Sequence, residues 1–416
     1  MLKRLKPDDF NLDEIIALDD QRKSLLTKVE QLKAERNKNS KTRPTPEIIE
    51  QMKAVGNKIR GLDDEIKKVE DQLKEKLSTL PNIVADDVPV GKDETENKVI
   101  RQWGKAPKFS FPIKDHVQIG EELGLIDNET AAKVSGARFT YLKSELALLQ
   151  FALIQYAFSV LTSEKILKKI ADSVKKGFSA KPFIPVVPPV MIKPDIFAKM
   201  ARLEPKDERY YIQSDDVYLV GSAEHALGPM HMDETILEQD LPLRYAGYST
   251  AFRREAGSYG KDTKGILRMH QFDKIEMESF SKPEDSIMEQ DFFVAIQEYL
   301  LKQLEIPYQV MMICTGDMGG PDARQIDIEC WMPGQNKYRE THTADLMTDY
   351  QARRLNTKLK RKDGKNEFVH MNDATVFAIG RTLIAILENN QQKDGSVKVP
   401  KVLHKYTGFK VIKVAK

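Results

Sequence analysis

The chain of 416 residues is poor in cysteine, carries almost no net charge and lacks any apolar run of bilayer length. Its two cysteines, Cys314 and Cys330, lie in apolar surroundings without metal-ligand spacing, and two thiols cannot build a disulfide framework. Both read as small buried hydrophobes in a protein of a reducing compartment. The 65 Lys and Arg nearly cancel the 63 Asp and Glu, so no global field announces a polyanionic partner and any nucleic-acid surface must be local. The most apolar stretch, Leu146 to Leu161, is interrupted by Gln150 and Gln155 and is shorter than the ~20 residues of a spanning helix, so it reads as a buried helix. The N-terminal MLKRLKPDDFNLDE has no apolar core or cleavage site of a signal peptide. Internal repeats and low-complexity tracts are missing too, as is any Ser-His or Cys-His constellation that would supply a covalent nucleophile. A cytoplasmic protein of two or three domains, without a membrane partner, is expected.

What is present begins with a seam. Ile15, Leu18, Leu25, Val29 and Leu32 recur in steps of three and four, with Arg22 in one slot. After the breaker NKNSKTRPTP, a second series runs Met52, Val55, Ile59, Leu62, Ile66, Val69, Leu73 without an error. Two such series across a short proline-containing connection predict an antiparallel two-helix coiled coil over about 12–78, each helix reaching about 40 Å. Thr45 is placed to cap the second helix, with Pro46 in its first turn. From Arg22 to Arg60 there are eleven basic residues and four acidic ones. A solubilising or dimerising surface would show the same pattern. A stiff arm with a basic distal half also suits the phosphate backbone of a structured RNA, through Arg22, Lys33, Arg36, Lys38, Lys41 and Arg43. The proline-spaced Leu80 to Asn97 reads as an extended linker.

The body carries four informative stretches. AFRREAGSYGKDTKGILRMHQFDKIEME, Ala251 to Glu278, reads as two antiparallel strands joined by a glycine-containing loop. Its Arg253, Arg254 and Arg268, with Lys261 and Lys264, are what a polyphosphate needs, because planar guanidinium groups pair bidentately with phosphate oxygens. FIPVVPPVMI, Phe183 to Ile192, is a strand whose prolines imply an edge or an interface, preceded by a helix from Glu164 to Lys176. In LVGSAEHAL, Ser222 and Glu224 lie two apart, so an extended segment would point both to one face, where they could hold an ammonium group. AIGRTLIAILENNQQ places Arg381 at the start of an amphipathic helix, a combination that favours anions. Between these, Asp327 and Glu329 read as a structural salt-bridge pair among strands.

The first of these stretches resembles motif 2 of the class II aminoacyl-tRNA synthetases, and specifically of the seryl-tRNA synthetases. The second resembles motif 1, the dimer-forming element, and the last resembles motif 3. The Ser222–Glu224 segment is similar to the family's Thr/Ser-x-Glu loop, and LENNQQKDGSVKVPKVL is a seryl-specific continuation. This resemblance covers essentially the whole chain. It implies an α+β body, an antiparallel sheet flanked by helices (101–416), preceded by an N-terminal tRNA-binding domain with arm and linker (1–100). It implies ATP-dependent activation of L-serine and transfer to tRNA(Ser), with tRNA(Sec) left open, by a homodimer. Arg253 would contact the α-phosphate, Glu255 the adenine, Phe272 would stack on the base, and Arg268 and Arg381 would face the distal phosphates. Arg254, Thr341 and His342 complete the implied ATP site, Glu340 and Thr343 would hold Mg²⁺, and Arg253 and Arg381 are the implied catalytic residues. Ser222, Ala223, Glu224, Glu276 and Thr375 would form the serine pocket.

The chain departs from the family at that pocket. Glu-Thr-His-Thr-Ala-Asp-Leu from Glu340 to Leu346 stands where Glu-Ile-Ser-Ser-Cys-Ser-Asn is usual. Asp373-Ala374-Thr375-Val376 stands where Asn-Gly-Ser/Thr-Gly is usual. Loading of a carrier protein instead of tRNA, and a non-catalytic RNA-binding paralogue, are the rival readings. The basic arm argues against the first, and the retained Arg253, Glu255, Arg268, Glu340 and Arg381 against the second.

Overall fold

The structure is a computed structural model that describes residues 11–39, 45–256 and 265–413. The chain divides into two compact units, Met1–Pro81 and Asn82–Lys416.

In the first unit, helices α1 (Leu12–Asn39) and α2 (Pro46–Thr79) form a hairpin. Leu25 and Val29 pack against Val55, Ile59, Ile66 and Val69, with Leu18, Leu32, Met52 and Leu62 at the margins of the seam. Lys76, near the end of α2, pairs with Glu14 in the first turn of α1 at 2.9 Å, which fixes the antiparallel sense. The Thr45 hydroxyl accepts from the Ile48 N–H at 3.3 Å, satisfying one of the free donors of the helix start.

The second unit is built on an eight-stranded sheet. In chain order its strands are β1 (Lys98–Trp103), β2 (Ile184–Val186), β3 (Leu243–Phe252), β4 (Gln271–Ser281), β5 (Tyr308–Met312), β6 (Arg324–Met332), β7 (Lys337–Thr348) and β8 (His370–Ala378). Across the sheet the order is β1-β5-β6-β7-β8-β4-β3-β2, antiparallel except for the β2–β3 pair. The two strands of the arginine-rich stretch are therefore β3 and β4, paired from Phe252–Gln271 to Leu243–Phe280. Residues between 82 and 97 pack with this unit: Asn82 donates to the carbonyls of Pro321 and Met347 at 2.8 Å each.

Alternation on β4 divides the sheet's two faces. Ile275 and Met277 are fully buried, in one apolar cluster with Ala344, Ala374, Val376 and the helix Ser286–Gln303. Phe272, Lys274, Glu276 and Glu278 share the opposite, polar face. The apolar stretch expected as a buried helix is the 18-residue helix Ser144–Leu161. Here it is a core helix: Leu146, Leu149, Leu153 and Leu161 are fully buried within the same cluster. Cys314 and Cys330 are buried free thiols, and burial pushes the Cys330 thiol up to about 12.

Candidate active site

On the polar face lies a cavity of about 330 Å³. Of the residues singled out from the sequence, Glu224, Arg253, Glu255, Arg268, Phe272, Glu340, Thr341, Thr343, Thr375 and Arg381 line it. Ser222 and Glu276 lie buried beneath this lining and are hydrogen-bonded into it. Arg202, Lys274 and Asp345 also line the cavity, and sequence reasoning missed them. Lys274 could have been found, since it alternates with Glu276 on one strand face. Arg202 had no local signal.

One part of the lining is cationic. The Arg253 guanidinium lies 5.4 Å from the Phe272 ring centroid, and its Nε donates to the Gly221 carbonyl at 3.1 Å. Arg268 Nη1 donates to Glu255 Oε2 at 2.9 Å. Arg381 Nη1 donates to the Glu340 carbonyl at 2.7 Å and lies 3.3 Å from its carboxylate. Three guanidinium groups and one aromatic face on a concave surface fit a nucleotide polyphosphate. Residues 257–264, with Lys261 and Lys264, lie outside the described residues.

Glu340 and Thr343 share a face for a reason that simple alternation hides. Residues three apart in a strand normally point to opposite sides. Between β6 and β7 the register slips: Ile328 pairs with His342 but Glu329 pairs with Glu340, leaving Thr341 as an extra residue. This bulge brings Glu340 and Thr343 to the cavity together. It also turns His342 away. The imidazole is buried against the Phe377 ring, and burial pushes it down to about 3. His342 is thus a core residue and does not line the cavity. Arg254 is outside the lining too: its guanidinium lies 5.6 Å from the Tyr210 ring.

Among the described residues, Asp327 and Glu329 are each held by a side-chain amide. Asp327 accepts from the Gln325 amide at 3.0 Å and Glu329 accepts from the Gln309 amide. Burial, followed by the nearby Glu340 charge, raises the Asp327 carboxyl well above the usual range. Glu340 moves the other way: burial opposes its ionisation, but Arg381, Arg253 and Lys274 outweigh that and lower its pKa.

The other part is a cluster of hydroxyls and carboxylates. Ser222 is followed by Ala223 in helical conformation and by the short helix Glu224–Leu227, so the segment is not the extended one expected. The side chains converge nonetheless, because the turn folds Glu224 back on Ser222. Ser222 Oγ lies 3.1 Å from both Glu224 Oε2 and Glu276 Oε1. Thr375 Oγ1 donates to Glu276 Oε1 at 3.2 Å and lies 3.3 Å from Thr343 Oγ1. Lys274 pairs with the same carboxylate. Glu276 Oε2 is buried and has no hydrogen-bond partner among the described residues. Glu224 is opposed by burial, yet Arg202, Lys274, His225 and Arg253 outweigh it and hold its pKa at about 2. A lasting carboxylate beside a free buried acceptor can receive an ammonium group and a hydroxyl donor.

Gln297, from the helix on the far side of the sheet, sets this geometry. Its Nε2 donates to the carbonyls of Thr343 and Thr375 at 2.7 Å each. Those carbonyls lie just beyond the last β7–β8 pair, Ala344 with Ala374, where the strands part. The amide therefore holds the two hydroxyl-bearing positions together.

Comparison with known proteins places this architecture. Residues 209–390 match the family described as tRNA synthetase class II core domain (G, H, P, S and T). Residues 1–84 match the Seryl-tRNA synthetase N-terminal domain. The serine–tRNA ligase of Nitrosopumilus maritimus is 40% identical over 410 residues, which is 96% of this chain and 93% of the relative. That of Symbiobacterium thermophilum is 41% identical over 406 residues, covering 95% and 92%. The solved structure of seryl-tRNA synthetase from Pyrococcus horikoshii complexed with ATP is similar with a TM-score of 0.87 and 39% identity, covering 97% of this chain and 93% of that one. The cytoplasmic serine–tRNA ligase of Naegleria fowleri in complex with AMP gives a TM-score of 0.84 at 32% identity, covering 97% and 92%.

Proposed function

The chain belongs to the seryl-tRNA synthetases, enzymes that charge tRNA with serine, and from that premise we propose how its cavity divides the work. ATP occupies the cationic part and serine the part lined by hydroxyls and carboxylates. The serine carboxylate attacks the α-phosphorus of ATP, forming seryl-adenylate and releasing pyrophosphate. The 3′-terminal hydroxyl of tRNA(Ser) then attacks the acyl carbon, and AMP leaves.

Phe272 stacks on the adenine with Arg253 beside it, and Glu255 reads the base edge. Arg253 neutralises charge at the α-phosphate, while Arg268 and Arg381 face the outer phosphates. Fixed cations in a concave, partly dry site stabilise the charge that grows in the transition state. Glu224 takes the serine ammonium, and Glu276 with Thr375 reads its hydroxyl. The observation that carries this assignment is the buried, unpartnered Glu276 Oε2 beside the Ser222 and Thr375 hydroxyls. A site left with unpaired polar groups by alanine rejects it by roughly 10⁴–10⁵.

Mg²⁺ fits the donor set. Asp327 pairs across the strands with Thr343, and the like-charge strain between Asp327 and Glu340 would be relieved by a cation. Among the described residues no three carboxylate, imidazole or thiol groups converge as a closed metal site. Glu340, Thr343 and Asp327 would hold such a hard ion, which when bound would neutralise charge on the phosphate oxygens.

The arm holds the tRNA. Lys33, Arg36 and Lys38 are exposed, whereas Arg22 is tied to Asp19 at 2.8 Å. Lys41 and Arg43 lie outside the described residues. Two copies join around β2, where Ile184, Val187 and Met191 are 49%, 80% and 51% exposed. The protein is cytoplasmic on this reading.

Pyrophosphate exchange measured with each of the twenty amino acids tests the assignment. Serine is expected to give the highest exchange. Faster exchange with another amino acid would sink it, and tRNA binding without exchange would indicate a non-catalytic relative.

A further inference from the structure

Behind the serine subsite lies a second row of polar side chains. Asp345, Asp373 and Glu278 are cross-strand neighbours on β7, β8 and β4, one step along the sheet from Thr343, Thr375 and Glu276. All three are at most 7% exposed. Asp345 Oδ1, Asp373 Oδ1 and both Glu278 oxygens have no hydrogen-bond partner. Asp322, 1% exposed, adds a fourth carboxylate. Buried carboxylates this close cannot all be left unanswered.

The cation that answers them comes from a remote segment. Arg202 Nη2 lies 3.4 Å from Asp373, 3.5 Å from Asp322 and 3.7 Å from Asp345, and its Nε lies 3.4 Å from Glu224 Oε1. Each contact is longer than the ~2.7–2.9 Å of a paired charged hydrogen bond, so the guanidinium is shared among four carboxylates. Its backbone is set with care. Ala201 has φ +53°, in the left-handed region that alanine seldom adopts, and the Arg202 carbonyl accepts from Arg209 Nε at 3.1 Å. A Cβ at Gly319 would lie 2.3 Å from Asp322 Oδ2, so a side chain there would push the Asp322 carboxyl out of its place in this cluster.

We propose that Arg202 is a positioning residue for serine, linking Glu224 to the Asp322–Asp345–Asp373 group and closing the floor of the amino-acid subsite. The proposal rests on the reading that Glu224, Glu276 and Thr375 bind serine. It assigns a reason to the unusual Asp373: the extra charge and Arg202 are two halves of one floor. A planar fork can span several carboxylates at once, whereas a lysine ammonium is a point charge on a flexible stem.

The test is serine-dependent pyrophosphate exchange by the full-length protein carrying Arg202→Met, Arg202→Lys, Asp373→Asn, or Arg202→Met with Asp373→Asn. Arg202→Met is expected to raise the serine KM about tenfold or more while the ATP KM stays within about twofold. Arg202→Lys is expected to raise the serine KM about threefold. The double variant is expected to recover part of the loss of Arg202→Met, because it removes a carboxylate left without its cation. If Arg202→Met gives no folded protein, Arg202→Lys decides: an unchanged serine KM overturns the proposal. Equal rises in the serine and ATP KM would make Arg202 a general structural residue and overturn it as well. Thr375→Val separates the two levels. If it leaves the serine KM unchanged, the subsite reading itself fails. If it raises the serine KM while both Arg202 variants match the wild type, only the role of Arg202 falls.

Discussion

The Ile266 N–H donates to His116 Nε2 at 3.4 Å, joining a histidine at the start of the helix His116–Glu122 to the end of the arginine-rich loop 150 residues away. His116 Nδ1 meets Glu388 Oε1 at 3.0 Å, and Glu388 also accepts from the backbone of His116 and Gly334. The loop thus ends on a clamp anchored to the motif 3 helix. Gly265 is required there: it has φ +72°, and a Cβ would lie 2.1 Å from His116 Nε2. His116→Ala leaves the buried Ile266 N–H without its acceptor and takes one of three donors from Glu388, at about 1–3 kcal/mol of stability. A lower melting temperature and an ATP KM raised several-fold, with the serine KM nearly unchanged, are expected. An unchanged ATP KM would show that the clamp does not position the loop.

Arg253→Ala and Arg381→Ala are expected to lower kcat/KM for pyrophosphate exchange by about 3 kcal/mol each, the scale of losing a preorganised charge-stabilising donor. Thermal melts of both variants should stay close to the wild type. Losses below tenfold would place the developing charge elsewhere in the cavity.

Thr375→Val keeps shape and removes the hydroxyl that bonds Glu276. Serine preference over alanine is expected to narrow by about 1–3 kcal/mol, the cost of a buried group left unpaired. Competition between serine and alanine in the exchange reaction measures this directly. Were the preference unaffected, Glu276 would be the next residue to change.

The acidic row makes stability depend on pH in a defined direction. Burial first, then Asp373 and Glu224 for Glu278, and Asp322 and Asp373 for Asp345, raise these carboxyls well above the usual range. Burial and Glu224 do the same for Asp373, against the pull of Arg202. A folded state with raised carboxyl pKa values holds protons that the unfolded chain has released. Their stabilising contribution is full below the ordinary carboxyl range, about pH 4, and is lost as pH rises through the folded values. Asp373→Asn removes one such group. Its melting temperature relative to the wild type is expected to climb as pH rises from about 4 to 8, and a constant difference would count against a protonated row.

Deleting Leu18 to Val69 behind a short joining turn should leave pyrophosphate exchange nearly intact while tRNA charging collapses. Equal loss of both would mean that the arm supports the fold of the second unit. Charge reversal at Lys38, Lys41 and Arg43 is expected to weaken tRNA binding and flatten its salt dependence, as lost phosphate contacts do.

Periodic features were legible in the sequence, and features created by distant approach were not. The seam from Met52 to Leu73 is a one-dimensional pattern, and five of its seven side chains are buried. The pairing of Phe252 with the strand of Phe272 followed from alternation on either side of a glycine-containing loop. Ser222, Glu276 and Thr375 were identifiable from resemblance, and they meet as hydrogen-bonded partners. Arg202 was invisible because its partner Asp373 is 171 residues away and the turn at Ala201 carries no sequence signature. Ser222 and Glu224 misled for a different reason. Spacing by two looks like a strand face, but the segment turns into a helix at once.

The extra residue at Thr341 changes the phase of its strand, so Lys337 to Glu340 and His342 to Leu346 follow opposite parities. Removing any one residue between Glu340 and Thr343 would restore a single parity. The carboxylate would then point among apolar side chains while the cavity lost a principal anion. Tolerance to substitution and tolerance to length therefore diverge at this point of the chain. The identity of His342 can drift as long as its place is kept, because what the cavity needs from it is its number, whereas Thr341 also lines the cavity.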